Sequence, residues 1–262
     1  IGLACSIIIF LYVENEYSFD HFHQHAKNIY RIGIKGNVSG NTVNHAVTPA
    51  PLASALVNEV PGVKKAVRIG RFGAWLVRYD TIKHNEDGII FADSTFFEIF
   101  SFPLVAGDPL TVLDKPENIV ISEKAARRYF GNDNPIGKKL RIENDSTYYV
   151  VSGVMKDVPH NSHMHFDMVA SLSTLYRYLM LDSWVANYLY TYILVEDNTN
   201  RDDLSAKVNR LAETYVRPAY LNILSLHEDQ TLSYDDRFSF IIQPMLDIHL
   251  KSDFEAEFEP VN

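Results

Sequence analysis

Cysteine is nearly absent: Cys5 is the single thiol in 262 residues. One thiol excludes a disulfide framework, a cysteine-based zinc site and a dithiol redox pair. A chain of this length can fold on its core alone, so the lack of disulfides does not argue against a place outside the cytoplasm. Basic clusters are missing too. The net charge is -9 and no Lys/Arg-rich run occurs, whereas a nucleic-acid surface needs clustered cations; no nucleic-acid partner is expected. Phosphate chemistry lacks its loop. In Gly131-Asn-Asp-Asn-Pro-Ile-Gly137-Lys138-Lys139 five residues separate the glycines, and Lys139 stands where a P-loop needs a hydroxyl. No G-x-S-x-G nucleophile elbow occurs either. No catalytic residue and no cofactor-binding residue can therefore be assigned.

Ile1 to Val13 (IGLACSIIIFLYV) carries no charge and no proline, and Glu14, Glu16 and Asp20 follow at once. As a helix, those thirteen residues reach roughly 20 Å, short of a bilayer core of about 30 Å. The stretch has no basic leader or small-residue cleavage site. It reads as the outer part of a transmembrane helix whose start is missing. The competing reading is a buried helix of the core, against which stands the absence of any polar face.

Glu14 to Ile32 reads as an amphipathic continuation, with Tyr17, Phe19 and Phe22 suited to a membrane–water interface. Two strand–helix–strand units follow. In the first, Ile29 to Val38 is a strand, Asn37 to Asn41 a turn, Pro49 to Val60 a helix facing inward through Leu52, Leu56, Val57 and Val60, and Lys64 to Phe72 a strand. In the second, Tyr188 to Val195 is a strand, Asp202 to Arg217 a helix stopped by Pro218, and Phe238 to Gln243 the returning strand. Between them lies a mixed region. Strands are expected at Trp75–Tyr79, Gly88–Ala92, Asn118–Ile121, Tyr148–Met155 and Phe166–Ala170. Asp93 is expected to cap a short helix through Phe96 and Phe100, Ser122 to cap a second, and Gly131 to end it.

Two histidine groups tempt a metal reading. His21 and His25 would stand i, i+4 on a helix, but no H-E-x-x-H motif completes them. His160, His163 and His165 lie with Asp157 and Asp167 in a stretch between strands, where polar residues gather anyway. They are the candidate metal ligands, but the favoured reading is that no metal binds. Fifteen Tyr and fifteen Phe suit a core better than a ligand groove. No substrate-binding residue stands out.

Several runs together resemble one family. They are Ser18-Phe19-Asp20-His21-Phe22-His23 with Ile29-Tyr30-Arg31, then Phe96-Phe97-Glu98-Ile99-Phe100 with Phe102-Pro103-Leu104 and Gly107-Asp108-Pro109. Asn118 to Gly131, Asn134 to Leu140, Val151 to Val154, Asp157-Val-Pro159, Ser162-His163 and Gln243 to Leu250 continue the match in order. These resemble the periplasmic core domain of MacB-like, FtsX-type ABC transporter permeases. Phe19 and His21 depart from the commoner Tyr and Arg of the entry signature.

The resemblance implies an α+β fold: a porter-like domain of two β-α-β units with an inserted small α/β lobe of the Sabre type, preceded by a partial transmembrane helix. The divisions would be 1–13 for the end of the first transmembrane helix, 14–87 and 161–262 for the porter-like halves, and 88–160 for the lobe. It also implies a non-enzymatic part of an efflux-type permease in a bacterial inner membrane. Motion driven by a cytoplasmic ABC ATPase, which would hold the ATP, would pass to a periplasmic substrate or partner. A permease homo- or heterodimer, a periplasmic adaptor or outer-membrane component, and membrane lipid at the N-terminal helix are the expected partners. The alternatives are a membrane-tethered sensor ectodomain or a periplasmic hydrolase using the His and Asp residues near 157–167.

Overall fold

The computed structural model describes residues 2–38, 41–142, 147–224 and 238–259. Helix α1 (Gly2–Tyr17) has no buried residue, so the buried-helix reading of the apolar stretch fails. Among the described residues no helix is long and apolar enough to cross a membrane. The expected amphipathic continuation is helical only as far as Tyr17. After Tyr17 the chain turns sharply at Asp20, whose φ of 63° lies in the left-handed region, and only a short 3-10 turn, Ala26–Asn28, precedes the first strand.

That strand, β1 (Ile29–Val38), is buried on both faces, because side chains alternate between two cores. Ile29 joins one core, and Ile32 and Ile34 join the other. Strands β2 (Asn41–His45) and β3 (Val47–Pro49) lead to helix α2 (Leu52–Glu59) and strand β4 (Val63–Gly70). The second unit runs from β13 (Asn187–Val195) through α5 (Arg201–Leu211), a π-helical turn (Ala212–Val216) and α6 (Arg217–Leu224) to β14 (Phe238–Pro244). These strands lie in the order β14-β1-β13-β4, every neighbour antiparallel. This is the split β-α-β arrangement of ferredoxin-like domains, and it confirms the two expected units. Helices α2 and α5 cover one face through Leu52, Leu56, Leu204 and Val208.

Two details differ from expectation. Val57 is 41% exposed and lies off the buried face of α2. Pro218 does not stop its helix, which continues to Leu224. Proline lacks an N–H and its ring crowds the carbonyl four residues earlier; the π turn just before it widens the helix at that point.

The region between the units continues the same sheet outward from β4. Strands β5 (Trp75–Tyr79), β6 (Ile82–Glu86), β7 (Ile89–Ala92), β8 (Leu104–Ala106), β9 (Asn118–Ser122), β10 (Lys139–Ile142), β11 (Thr147–Met155) and β12 (Met168–Ser171) are joined with helices α3 (Phe96–Ile99) and α4 (Glu123–Phe130). The path runs β4-β7-β12-β9-β11-β10-β5-β6. Ser122 caps α4 by accepting the Ala125 N–H at 3.0 Å, and Gly131 ends it with φ 62°. Asp93 is no side-chain cap for α3. Its carboxylate takes the Arg68 guanidinium instead, since an ion pair outcompetes a single backbone N–H. Helix α7 (Ile248–Lys251) and residues 252–259 then lie over the sheet face opposite α2 and α5, where Phe254 and Phe258 enter the core.

Candidate functional site

Where α1 meets the body, residues from three distant parts of the chain converge. The last turn of α1 is held on one side by the segment that returns from β11. Asn161 Nδ2 donates to the Ser18 carbonyl and hydroxyl, each at 3.1 Å. The Asp20 N–H donates to the Asn161 carbonyl at 2.9 Å, and His160 Nε2 lies 3.2 Å from Asn15 Oδ1. On the other side α7 closes the clamp: His249 Nε2 is 2.8 Å from Glu16 Oε2. The Phe19 ring stacks on His249 with centroids 3.4 Å apart. An exposed apolar helix is thus seated on the body only at its foot.

Beneath this clamp runs a line of buried polar groups. Asp20 Oδ1 accepts the His163 N–H at 3.1 Å and lies 2.8 Å from His163 Nδ1; His163 Nε2 is 2.8 Å from the Tyr192 hydroxyl. Burial pushes the Asp20 carboxyl up, but the charge and hydrogen bonds of His163 outweigh it and hold the carboxyl below its ordinary range. Burial raises the Tyr192 phenol well above its ordinary value. His23 is buried close by. Its Nδ1 accepts the Ser101 N–H at 3.0 Å, it packs among Phe22, Phe100 and Phe102, and burial brings it down to about 3. It is neutral at any physiological pH.

Arg31 fills the centre of the sheet face. Its guanidinium, fully buried, donates to both Glu257 oxygens, to Gln243 Oε1 at 2.6 Å and to Ser252 Oγ at 2.7 Å. Burial favours the neutral form, yet the Glu257 carboxylate more than restores the charge. Glu257 belongs to the strap formed by residues 252–259. The same strap places Glu259 Oε2 2.8 Å from His165 Nδ1 and Glu255 Oε2 3.5 Å from His45 Nε2.

The candidate metal ligands are therefore dispersed. His160 meets α1, His163 meets Asp20 and Tyr192, and His165 meets the strap. Among the described residues no three His, Cys, Asp or Glu side chains are grouped to hold an ion. His21 and His25 do not share a helix face; they line a pocket of about 400 Å³ with His23, Lys27 and Asp197. Of the three aromatic residues expected at an interface, Tyr17 is 69% exposed, Phe19 is stacked and Phe22 packs against the core. Sequence reasoning passed over Arg31, Asp20, Glu16, Asn161, Tyr192 and His249. Arg31 did carry a signal, as the sole charge in the apolar run Ile29-Tyr30-Arg31-Ile32-Gly33-Ile34.

A second feature lies on the opposite side, between the two parts of the sheet. A cleft of about 650 Å³ is lined by α2, by β4 and by the segments after β7 and β12. Its floor is Arg68, which bonds both Asp93 oxygens at 2.9 Å and the Tyr176 hydroxyl at 2.8 Å.

Comparison with known proteins agrees with this architecture. The model of the MacB-like periplasmic core domain matches residues 1–211. The macrolide export ATP-binding/permease protein MacB of Syntrophobacter fumaroxidans is 26% identical over 220 residues, covering 80% of this chain and 29% of that protein; the chain thus spans less than a third of its relative. A domain described as belonging to a permease protein from Porphyromonas gingivalis superposes with a TM-score of 0.70 at 20% identity, over 85% of this chain and 91% of that one. The periplasmic region of MacB from Actinobacillus actinomycetemcomitans gives 0.56 at 15% identity, over 90% and 94%. None of these three is described as a sensor or a hydrolase.

Proposed function

The chain belongs to the family of MacB-like periplasmic core domains, and on that premise we propose that it is the extracytoplasmic part of an ABC transporter permease subunit that carries motion rather than catalysis. In this reading α1 is the outer end of a membrane helix. Its apolar side chains are exposed on every face, Leu3 at 78% and Ile8 at 67% among them, which suits lipid and not water. Sixteen helical residues reach about 24 Å, against about 30 Å for a hydrocarbon core. ATP would be bound and hydrolysed by a cytoplasmic partner, and the domain would stand in the periplasm of a bacterial inner membrane. A permease dimer and a periplasmic adaptor or outer-membrane component remain part of the same reading.

The observation that carries it is the clamp. A membrane helix that turns or shifts does work on a domain only if its end is fixed to it. Here Asn161 holds the foot of α1 from the segment between β11 and β12, and His249 holds it from α7. Lipid, the segment between β11 and β12, and α7 then meet at one joint, and a biased equilibrium of the membrane helices becomes a biased equilibrium of the body. The test uses the whole permease with its ATPase in proteoliposomes. Asn161→Ala combined with His249→Ala is expected to leave ATP hydrolysis intact while lowering substrate movement per ATP. Unchanged transport after removal of residues 14–262 overturns the reading.

A further inference from the structure

His23 keeps a buried donor without an acceptor. Its side chain is 3% exposed, and Nδ1 accepts the Ser101 N–H at 3.0 Å. A ring nitrogen that accepts carries no proton, so the imidazole proton sits on Nε2. Among the described residues nothing receives it. Asp20 Oδ2 is buried and unpartnered too, yet no hydrogen bond joins the two groups. Leaving a buried donor unpaired is costly, and native proteins rarely do so without a ligand or ordered water to meet it.

His23 lines the pocket of about 400 Å³ that follows the foot of α1, a size at the small end for ligand sites. The other lining groups offer both signs of charge. Lys27, His21 and His25 are exposed, and their side chains have no hydrogen-bond or ion-pair partner among the described residues. Asp197 gives one carboxylate oxygen to the Asn28 amide and keeps the other open. Donors and a cation for an oxyanion thus stand in one pocket with a carboxylate for an ammonium group. We propose that this pocket seats the phosphoethanolamine headgroup of a membrane phospholipid, its phosphate against His23 Nε2 and Lys27 and its ammonium against Asp197.

Place and charge both select that ligand. The inference rests on the reading that α1 stands in lipid. His21 follows Tyr17 by four residues, so the pocket begins within about 14 Å of the helix end, at the level of the headgroups around α1. A phosphate alone is repelled by Asp197, and an anionic lipid also meets a chain of net charge -9. A headgroup that carries its own ammonium turns this repulsion into a charge-assisted hydrogen bond. A choline headgroup has no N–H to donate there. Leu246 also lines the pocket, from the 3-10 turn Met245–Asp247 that leads into α7. A seated headgroup therefore touches the segments on both sides of the clamp.

Native mass spectrometry of the 262-residue chain in detergent, with phosphatidylethanolamine, phosphatidylcholine and phosphatidylglycerol added in equal amounts, tests the lipid. The phosphatidylethanolamine adduct is expected to exceed each of the others about tenfold, as one hydrogen bond to a charged group provides. Lys27→Gln with Asp197→Asn, both at exposed side chains, is expected to erase that preference. Nitrogen-15 NMR of the histidine-labelled chain tests the donor. The His23 Nε2 signal is expected to move with glycerophosphoethanolamine and to stay in place with inorganic phosphate at the same concentration. Equal adducts of the three lipids, or a preference that survives in the variant, overturn the lipid site. A His23 signal that moves equally with inorganic phosphate, or with neither, overturns the headgroup assignment. None of these readouts involves ATP or transport, so failure here is distinct from failure of the motion reading.

Discussion

At the scale of single residues, Arg31 bears the largest electrostatic stake. Its guanidinium lies wholly out of water and Glu257 nearly so, at 10% side-chain exposure, so removing one partner strands the other. Arg31→Met is expected to cost about 3–5 kcal/mol, measured by urea unfolding. Arg31→Met with Glu257→Leu is expected to cost clearly less, because the pair's desolvation is then relieved together. This residue also marks where sequence reading stops. Arg31 belongs to the entry signature and is the sole charge of an apolar run, yet nothing local named its partner. Glu257, Gln243 and Ser252 reach it only because β14 lies beside β1 and the strap folds back over both. The histidines are a similar case. Their spacing left a shared ligand as the less favoured reading, and the fold gives each a separate carboxylate or polar partner.

At the scale of elements, most strands and helices were legible, because their signals are local. Ser122 and Gly131 bracket α4 as capping chemistry requires, and the alternating runs of β1, β11 and β13 formed strands. Short strands such as β2, β6 and β10 went unseen; β6, IKHNE, is exposed except at its last residue and has no apolar periodicity to read. The strap is the element whose position depends on one small side chain. A Cβ at Gly33 would come within 2.5 Å of the Phe254 ring, a separation that real structures do not tolerate. Gly33→Ala is therefore expected to lift residues 252–259, giving faster limited proteolysis there, while the circular dichroism of the sheet is retained. Intact resistance to protease in that variant would show that the strap has room to adjust.

At the scale of the molecule, one sheet joins both parts, but the join is narrow. Strands β4 and β7 share only the pairs Ile69↔Ala92 and Gly70↔Phe91. Arg68 reinforces this seam, reaching Asp93 after β7 and Tyr176 after β12 from its place on β4. Arg68→Met is expected to cost about 1.5–3 kcal/mol, the range for hydrogen bonds to charged groups. It should also broaden the distance distribution between spin labels on β6 and α5. An unchanged distribution would mean that the seam holds without Arg68, through backbone pairing and the shared core. The two β-α-β units could be read from periodicity. The seam could not, since it is made by residues whose pattern is the same whether the strands meet or not.

The contact between Glu16 and His249 brings the lead into the domain and the lead out of it to one spot, although 233 positions separate them along the chain. Both ends of the body are thus hinged at a common pivot, with β6 at the far rim of an eleven-strand path. At about 4.8 Å between neighbouring strands, the ten intervals of that path add to roughly 48 Å between β14 and the rim. A tilt of a tenth of a radian at the pivot would sweep that rim through roughly 5 Å, so the geometry multiplies a small rotation at the pivot into a stroke as wide as a side chain.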